Sequence, residues 1–543
     1  MNRIIAAVLS SCLVLTATAA APSSPASEPA VVLPRFVVSA NTPWKFGRSA
    51  HFEILTAAGD TAALRFVEEL EREVALLETL FPESFLPQTD VPGLLILHSE
   101  PRALAGADGW AGAGLSDDSH ADVAAFFVNV TWFERNQPNV SGSRGYTLGT
   151  TGRYAEWILR CRQPRVPAWL GSGLAELVRM PVFVRSGVSL RTFDSEGARS
   201  SVDAGRVFDS RKPDRGAVWV LPDLNLKLVL ETSRPGLPVS ANEQLRFRQS
   251  AMSLVVWALI DADYREKFWR YVDRVSRERA TEDVFRACFG MGYDQAAGKI
   301  RTACERWMNS DVPLEISHQT NTRTAAPVVL RAAHSAEIAR ILGEWQRLVA
   351  VAEADPVVQM AWLEPARRRM ANAVEKSKSD AQLLAALGLC ERSAHRDADA
   401  YEHLQAAVRA EVIRPHAYLE FARLVFERAL GAPEAPQAKL SVEQTRAVLA
   451  PLEVVRRQSP ALPGVYELMC DVWNRSEVPP TLGDLAAIEE GTRLFPRDSR
   501  LNIAAIRLHN DHGQTKVAAQ IANRWLNASD EKTLRMMESP SAQ

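Results

Sequence analysis

The feature that most constrains this chain is a spacing of small and large apolar residues that returns in its C-terminal part. In Asp380 to Arg409, Leu384, Leu387 and Gly388 are followed by Ala400, Leu404 and Ala407. Those intervals place one apolar stripe on each of two consecutive helices, and the small residues let the pair approach closely. Pro415 then precedes His416-Ala417-Tyr418-Leu419-Glu420-Phe421-Ala422, which reads as the first helix of a further pair. A looser copy runs from Pro496-Arg497-Asp498 through Leu501, Ala504 and Ala505 to Gly513, Ala518 and Ala522. One such pair cannot bury its stripes alone, whereas a stack of pairs can. Residues 336–540 are therefore expected to form an all-α solenoid.

The chain has 543 residues, and the pattern upstream of the repeats is different. His51-Phe52-Glu53-Ile54-Leu55 reads as a strand. A helix follows from Thr61 to Leu80, with Ala62, Phe66, Leu70, Val74, Leu77 and Leu80 at helical spacing and Pro82 as its stop. Val91 to His98 and Val123 to Val130 are short, apolar and partly β-branched, and read as strands around a Gly- and Ser-rich loop, Gly106 to Ser119. Tyr146 to Cys161 and Gly171 to Met180 read as helices joined by a turn through Pro164 and Pro167. Val182 to Leu190 is strand-like, Leu245 to Ile260 is a strong helix, and three more helices reach about Trp307. This predicts an α+β unit over 44–312, then a polar linker over 313–335.

The start of the chain has the character of a leader. Met1-Asn2-Arg3 is cationic, Ile4 to Leu15 is apolar, and Ala17-Thr18-Ala19 offers a small-x-small cleavage site. The expectation is a signal peptide over 1–19 and a disordered Pro/Ala/Ser-rich linker over 20–43. The apolar run falls short of the roughly 20 residues a membrane helix needs. Leu9-Ser10-Ser11-Cys12 is similar to a bacterial lipobox, so acylation at Cys12 is the one route to a membrane. The mature protein is expected to be soluble and periplasmic or secreted, in a bacterium. A net charge of −2 leaves no basic footprint for nucleic acid. Cys161, Cys288, Cys304, Cys390 and Cys470 contain no CxxC pair, so neither a disulfide scaffold nor a zinc ribbon is expected. Cys288 and Cys304, on neighbouring helices, could pair or remain buried thiols.

Two resemblances sharpen these expectations. The 380–409 spacing resembles the tetratricopeptide repeat, with Glu391 standing at that repeat's aromatic position. Pro167-Ala168-Trp169-Leu170-Gly171-Ser172-Gly173-Leu174-Ala175-Glu176 resembles the P-x-W-L-x-E-G-L-A-E segment of gluzincin metallopeptidases of the peptidase-MA-like type. The early strand-helix-strand layout and the Gln249-Ser250-Ala251-Met252 helix also look similar, over roughly residues 44–310. The resemblance implies a gluzincin-like α+β fold. In that family an upstream HExxH helix supplies two zinc ligands and a general base, and the Glu of E-G-L-A supplies the third ligand.

Carried onto this chain, the resemblance yields no zinc site. The HExxH frame falls on Gly152-Arg153-Tyr154-Ala155-Glu156. Gly152 offers no side-chain lone pair, Arg153 puts a permanent cation where the base would be, and Ser172 replaces the third ligand. Glu156 alone could coordinate, whereas catalytic zinc takes three protein ligands and an open position. No histidine lies between His120 and His318, and Asp118, His120 and Glu156 make no convincing alternative. Arg153, Glu156 and Arg160 instead suit ion pairing on one helix face, with Glu156 able to reach either arginine. Trp157 and Trp169 read as core. The expectation is no catalytic residue, cofactor or metal: an exported pseudo-metallopeptidase whose repeats present a concave surface to a protein or peptide. The alternatives are a hydrolase with a non-standard site in the same cleft, and a lipid-anchored envelope scaffold.

Overall fold

The computed structural model describes residues 42–82, 85, 89–99, 122–130, 149–177, 224–231, 241–308, 327–377, 379–431 and 439–529, with the short strands outside these ranges named below. Residues 1–33, including the expected leader and Cys12, lie outside the described residues.

A six-stranded sheet sets the architecture. In chain order the first strands are β1 (Arg35–Phe36), β2 (Lys45–Arg48) and β3 (Phe52–Thr56), then helix α1 (Asp60–Leu80) and β4 (Gly93–His98). β5 (Leu104–Ala105), β6 (Trp110–Ala113) and β7 (Ala125–Asn129) follow. The sheet runs β13-β2-β3-β4-β7-β6, where β13 is Arg331–Ala332. β3, β4 and β7 are parallel neighbours at its centre, and β2, β6 and β13 pair antiparallel at its flanks.

Successive side chains on the central strands feed two different cores, as the two-residue period of a strand requires. Phe52, Ile54, Leu95, Leu97, Phe126 and Val128 join one cluster with Phe66 and Leu70 of α1. Leu55, Leu94, Ile96, Ala125 and Phe127 join another with Trp345 of α9 (Ser335–Ala352). Burial on both faces explains why β4 and β7 are continuous apolar runs rather than alternating ones.

Between the sheet and α9 the chain forms α2 (Gly149–Cys161), α3 (Ala168–Leu177), the hairpin β8 (Pro181–Val184) and β9 (Gly187–Leu190), and the pair β10 (Gly205–Phe208) and β11 (Ala217–Val220). α4 (Leu226–Glu231), α5 (Ala241–Ile260), α6 (Ala262–Arg277), α7 (Glu282–Phe289) and α8 (Tyr293–Met308) complete this half, with β12 (Leu314–Ile316) added to β9. Good caps fix the helix starts: Asp261 accepts from the Asp263 amide before α6, and Thr281 from the Val284 amide before α7.

The remainder is a stack of helices: α10 (Pro356–Val374), α11 (Ala381–Ser393), α12 (Asp397–Arg409), α13 (Pro415–Leu430), α14 (Val442–Val455), α15 (Pro463–Arg475), α16 (Leu482–Leu494), α17 (Ser499–Asp511) and α18 (Thr515–Ala528). An all-α repeat array thus follows an α+β region. Gly388 and Ala407 lie in the contact between α11 and α12, where Leu404 and Ala407 are fully buried. Glu391 explains the missing aromatic of the repeat pattern: it is buried, and its carboxylate bonds His403 Nδ1 at 2.7 Å.

Several expectations need correction. Residues 20–43 are not wholly a linker, because β1 pairs with β5. The loop Gly106 to Ser119 contains β6, and Val182 to Leu190 is a hairpin rather than one strand. The segment 313–335 carries β12 and β13, and β13 covers the edge that β2 would otherwise leave open. The first helices of 336–540 share a core with the sheet. α9 to α11 bury Trp345, Leu348, Trp362, Leu363 and Leu387 in the core that covers the second face of the sheet. Cys288 and Cys304 are buried free thiols.

Charges reinforce that shared core. Glu53 of β3 pairs with Arg340 of α9 at 2.5 Å and with Arg48 at 2.5 Å. Burial alone would raise Glu344, yet the Arg347 and Arg414 guanidinium groups beside it hold its carboxyl at about 2. Arg414 also pairs with Asp122, beside β7, at 3.2 Å.

A β-carbon on Gly388 would lie 2.7 Å from Leu404 Cγ and 3.1 Å from the Leu404 backbone nitrogen. Gly388→Ala in the full chain is therefore expected to cost about 1–3 kcal/mol, reversing the roughly 1 kcal/mol usually gained in a helix interior. Denaturant unfolding checks this; a more stable variant would refute the close contact.

Candidate functional site

The residues singled out by the metallopeptidase resemblance lie on α2 and α3. α2 packs with both the sheet and α1, burying Tyr154, Ala155, Trp157, Ile158 and Leu159. Arg153 faces solvent, and its Nη1 lies 3.7 Å from Glu156 Oε2, so Glu156 pairs with the arginine three residues before it. A pair this exposed contributes little to stability. Gly152 is buried in the first turn of α2, and Ser172 is half-buried in α3. A β-carbon on Gly171 would stand 3.9 Å from Glu156 Cγ, so the fold does bring Glu156 against the segment that holds Ser172. Asp118 and His120 lie outside the described residues.

The donor set does not fit a zinc ion. Of the matched positions, Gly152 has no ligand atom, Arg153 is cationic, and the Glu156 carboxylate is beside that cation. Ser172 offers a neutral hydroxyl. Among the described residues, no group of three His, Cys, Asp or Glu side chains is placed to hold a metal.

What the segment does retain is packing. Trp169 is almost fully buried, 5.9 Å from the ring of Phe268 and 6.4 Å from that of Tyr271. Leu170 and Leu174 are fully buried. Gly173 is required by the crossing of α3 over α5, since a β-carbon there would lie 2.8 Å from the Ala251 carbonyl oxygen and 2.6 Å from Val255 Cγ2. Trp169-Leu170 and Gly173-Leu174 are thus accounted for by packing.

A polar cluster next to α2 escaped the sequence reading. Glu73 of α1 is fully buried, and Thr151 of α2 donates a hydrogen bond to its Oε2. Burial pushes the Glu73 carboxyl up to about 9, which the Thr151 bond only partly offsets. Nearby, His51 Nδ1 lies 2.6 Å from Glu71 and Nε2 3.1 Å from Glu78. Burial pulls this imidazole down, but the two carboxylates outweigh it and lift His51 to about 9. The sequence held one signal for Glu73: Phe66, Leu70, Glu73, Leu77 and Leu80 are spaced four-three-four-three, which sets a carboxyl in an apolar stripe.

Two predictions follow from this geometry. Gly173→Ala should lower stability by about 1–3 kcal/mol by forcing α3 from α5, whereas Gly171→Ala, with ordinary contacts, should raise it by up to about 1 kcal/mol. Equal effects in denaturant unfolding would contradict the role given to Gly173. The second concerns pH. Glu73 shifts from 4.5 to about 9 on folding, so the native state holds a proton that the unfolded chain releases. Its stability term is complete at low pH and is lost as pH rises through about 9. Glu73→Gln keeps an acceptor for Thr151 without a charge. Its melting temperature should exceed the parent's at about pH 8 and approach it at about pH 5; any residual loss towards pH 9 belongs to His51, whose raised value has the same sign.

No family model matches the chain, and no curated protein matches it. Among solved structures it aligns with a crystal structure of MamA at 15% identity and a TM-score of 0.24, covering 33% of this chain and 92% of that one. A second crystal structure of the MamA protein aligns at 14% identity and a TM-score of 0.26, covering 38% of this chain and 97% of that one.

Proposed function

We propose that this is an exported, non-catalytic protein in which a gluzincin-like α+β half without zinc ligands is joined to helical repeats that bind a protein or peptide. The observation that carries this reading is the division within the α2–α3 segment. Positions that pack, Trp169, Leu170, Gly173 and Leu174, match the metallopeptidase pattern, while positions that would perform chemistry, Gly152, Arg153, Glu156 and Ser172, do not. A stack of helix pairs is the architecture that presents extended binding surfaces. Export is supported by the cationic start, apolar run and Ala17-Thr18-Ala19 of the leader.

The structure modifies where a partner is to be sought. The turns before α13, α15 and α17 touch the α+β half: His416 N donates to Asp122 at 2.8 Å, Ser459 N to Asp90 at 2.7 Å, and Arg497 reaches Arg165 O at 3.4 Å. That edge of the stack is already in contact with the chain itself. A partner is therefore assigned to the helix faces and to the opposite edge, formed by the turns after α11, α15 and α17.

Protein purified from the envelope fraction of its host should begin near Ala20, carry no stoichiometric zinc by elemental analysis, and show no chelator-sensitive peptidase activity. One zinc per chain would overturn the non-catalytic reading, and a full-length cytoplasmic product would overturn export. Restoring all four positions (Gly152→His, Arg153→Glu, Glu156→His, Ser172→Glu) should recover zinc binding. A folded quadruple variant without zinc would show that the matched register is wrong. Peptidase activity that survives chelation and disappears with Glu156→Gln would select the hydrolase alternative.

A further inference from the structure

The contacts between the repeats and the α+β half change in kind along the array. Near α9 they are apolar and continuous with the sheet. α11 marks the transition: Leu383, Ala386, Leu387 and Cys390 feed the core against the sheet, while Leu384, Ala385 and Leu389 feed the core of the later repeats. Among the described residues, the later core runs to Ile521 and takes in none of the α+β half, and the core around α1 to α8 takes in none of the repeats. Close to α11, the buried Arg414, Asp122 and Glu344 group fastens the start of α13.

Farther out, α18 packs beside α6, and the other ties are hydrogen bonds that involve the backbone. Asp90 N donates to Ser459 O at 3.0 Å, and Ser459 N returns a bond to the Asp90 carboxylate. Arg279 N donates to Asn527 O at 2.8 Å. Arg497, in the turn before α17, draws the most together. Its guanidinium donates to Ala528 O at the end of α18, to Val275 O and Glu278 O at the end of α6, and to Arg165 O in the turn between α2 and α3. Carbonyls at helix C-termini have no partner within their own helix and carry the negative end of the helix dipole, so a cation is well suited to join two of them.

We propose that α14 to α18 form a latched arm, which pivots on the firmly packed α11–α13 region and is closed by Arg497 across the C-termini of α6 and α18. Opening breaks these hydrogen bonds and parts the end of α18, where Trp525 and Ala528 are buried, from α6, but leaves the cores on both faces of the sheet in place, so it is a sub-global event of lower free energy than unfolding the sheet. Because Arg165 lies between α2 and α3, release of the latch also removes one hydrogen bond from the turn connecting the helices that carry Gly152 and Ser172. The inference rests on these contacts and not on the function proposed above.

Amide hydrogen exchange on the full chain tests it. In the unaltered protein, the Arg279 and Asp90 amides should exchange at least tenfold faster than amides within β4 and β7. In Arg497→Ala, Arg279 exchange should accelerate by a further tenfold or more, with the β4 and β7 amides unchanged. Arg497→Lys, which keeps the charge but loses the fork, should fall between the two and serves if the alanine variant does not fold. Equal protection of Arg279 and the sheet in the unaltered protein would overturn the latch. So would an Arg279 rate unaffected by either substitution, or a uniform acceleration throughout the chain.

Discussion

The double burial of the central sheet is the constraint from which the rest of this structure follows. β3, β4 and β7 send alternate side chains into two cores, and apart from Glu53, Thr56 and His98 the side chains they bury are apolar. The α+β half covers one face with α1 and α2. Among the described residues, the first helices of the repeat array cover the other, so the array begins as a structural layer of the domain it follows. This explains why Trp345 and Trp362 lie deep in the core, with ring centres 5.5 Å apart, rather than on the surface of a first repeat. Glu53 and Arg340 add a charged pair at that junction, where loss of either partner would leave a buried charge without its complement.

The same packing logic makes the α2–α3 segment intelligible. A motif associated with zinc chemistry combines residues that bind the ion with residues that hold two helices together. Here only residues of the second kind are present: the crossing of α3 over α5 requires Gly173, and Trp169 packs between α3 and α6. The polar interest has moved one layer inward, to Glu73 beneath the first turn of α2. An uncharged carboxylic acid there can accept from Thr151 without the cost of a buried charge.

Much of this was legible in the sequence. β3, β4 and β7, α1, the α2–α3 pair and the helices from 245 to 308 follow from apolar period and proline stops, which are local properties. The α11–α12 repeat was visible in Gly388 and Ala407, since small residues at helical spacing mean close approach wherever the helices are placed. The chemistry open to Gly152 and Arg153 was equally plain, because neither residue becomes a zinc ligand through folding. Glu73 was less visible, for its burial shows only when the helix is read by its four-three spacing. His51 could not be read at all: its partners Glu71 and Glu78 become neighbours only when β3 lies beside α1.

The sequence by itself determined the helical periods, the repeat spacing and which donor atoms Gly152, Arg153, Glu156 and Ser172 can offer, since each depends on residue identity over short stretches. Only the tertiary structure decided that residues 313–335 contribute strands, that α9 to α11 belong to the core of the sheet, and that one edge of the repeats is taken up by the chain itself. The physical reason is distance along the chain. Which surface covers a buried sheet face, and which carbonyls Arg497 reaches, depend on segments hundreds of residues apart, and no local pattern records where they will meet.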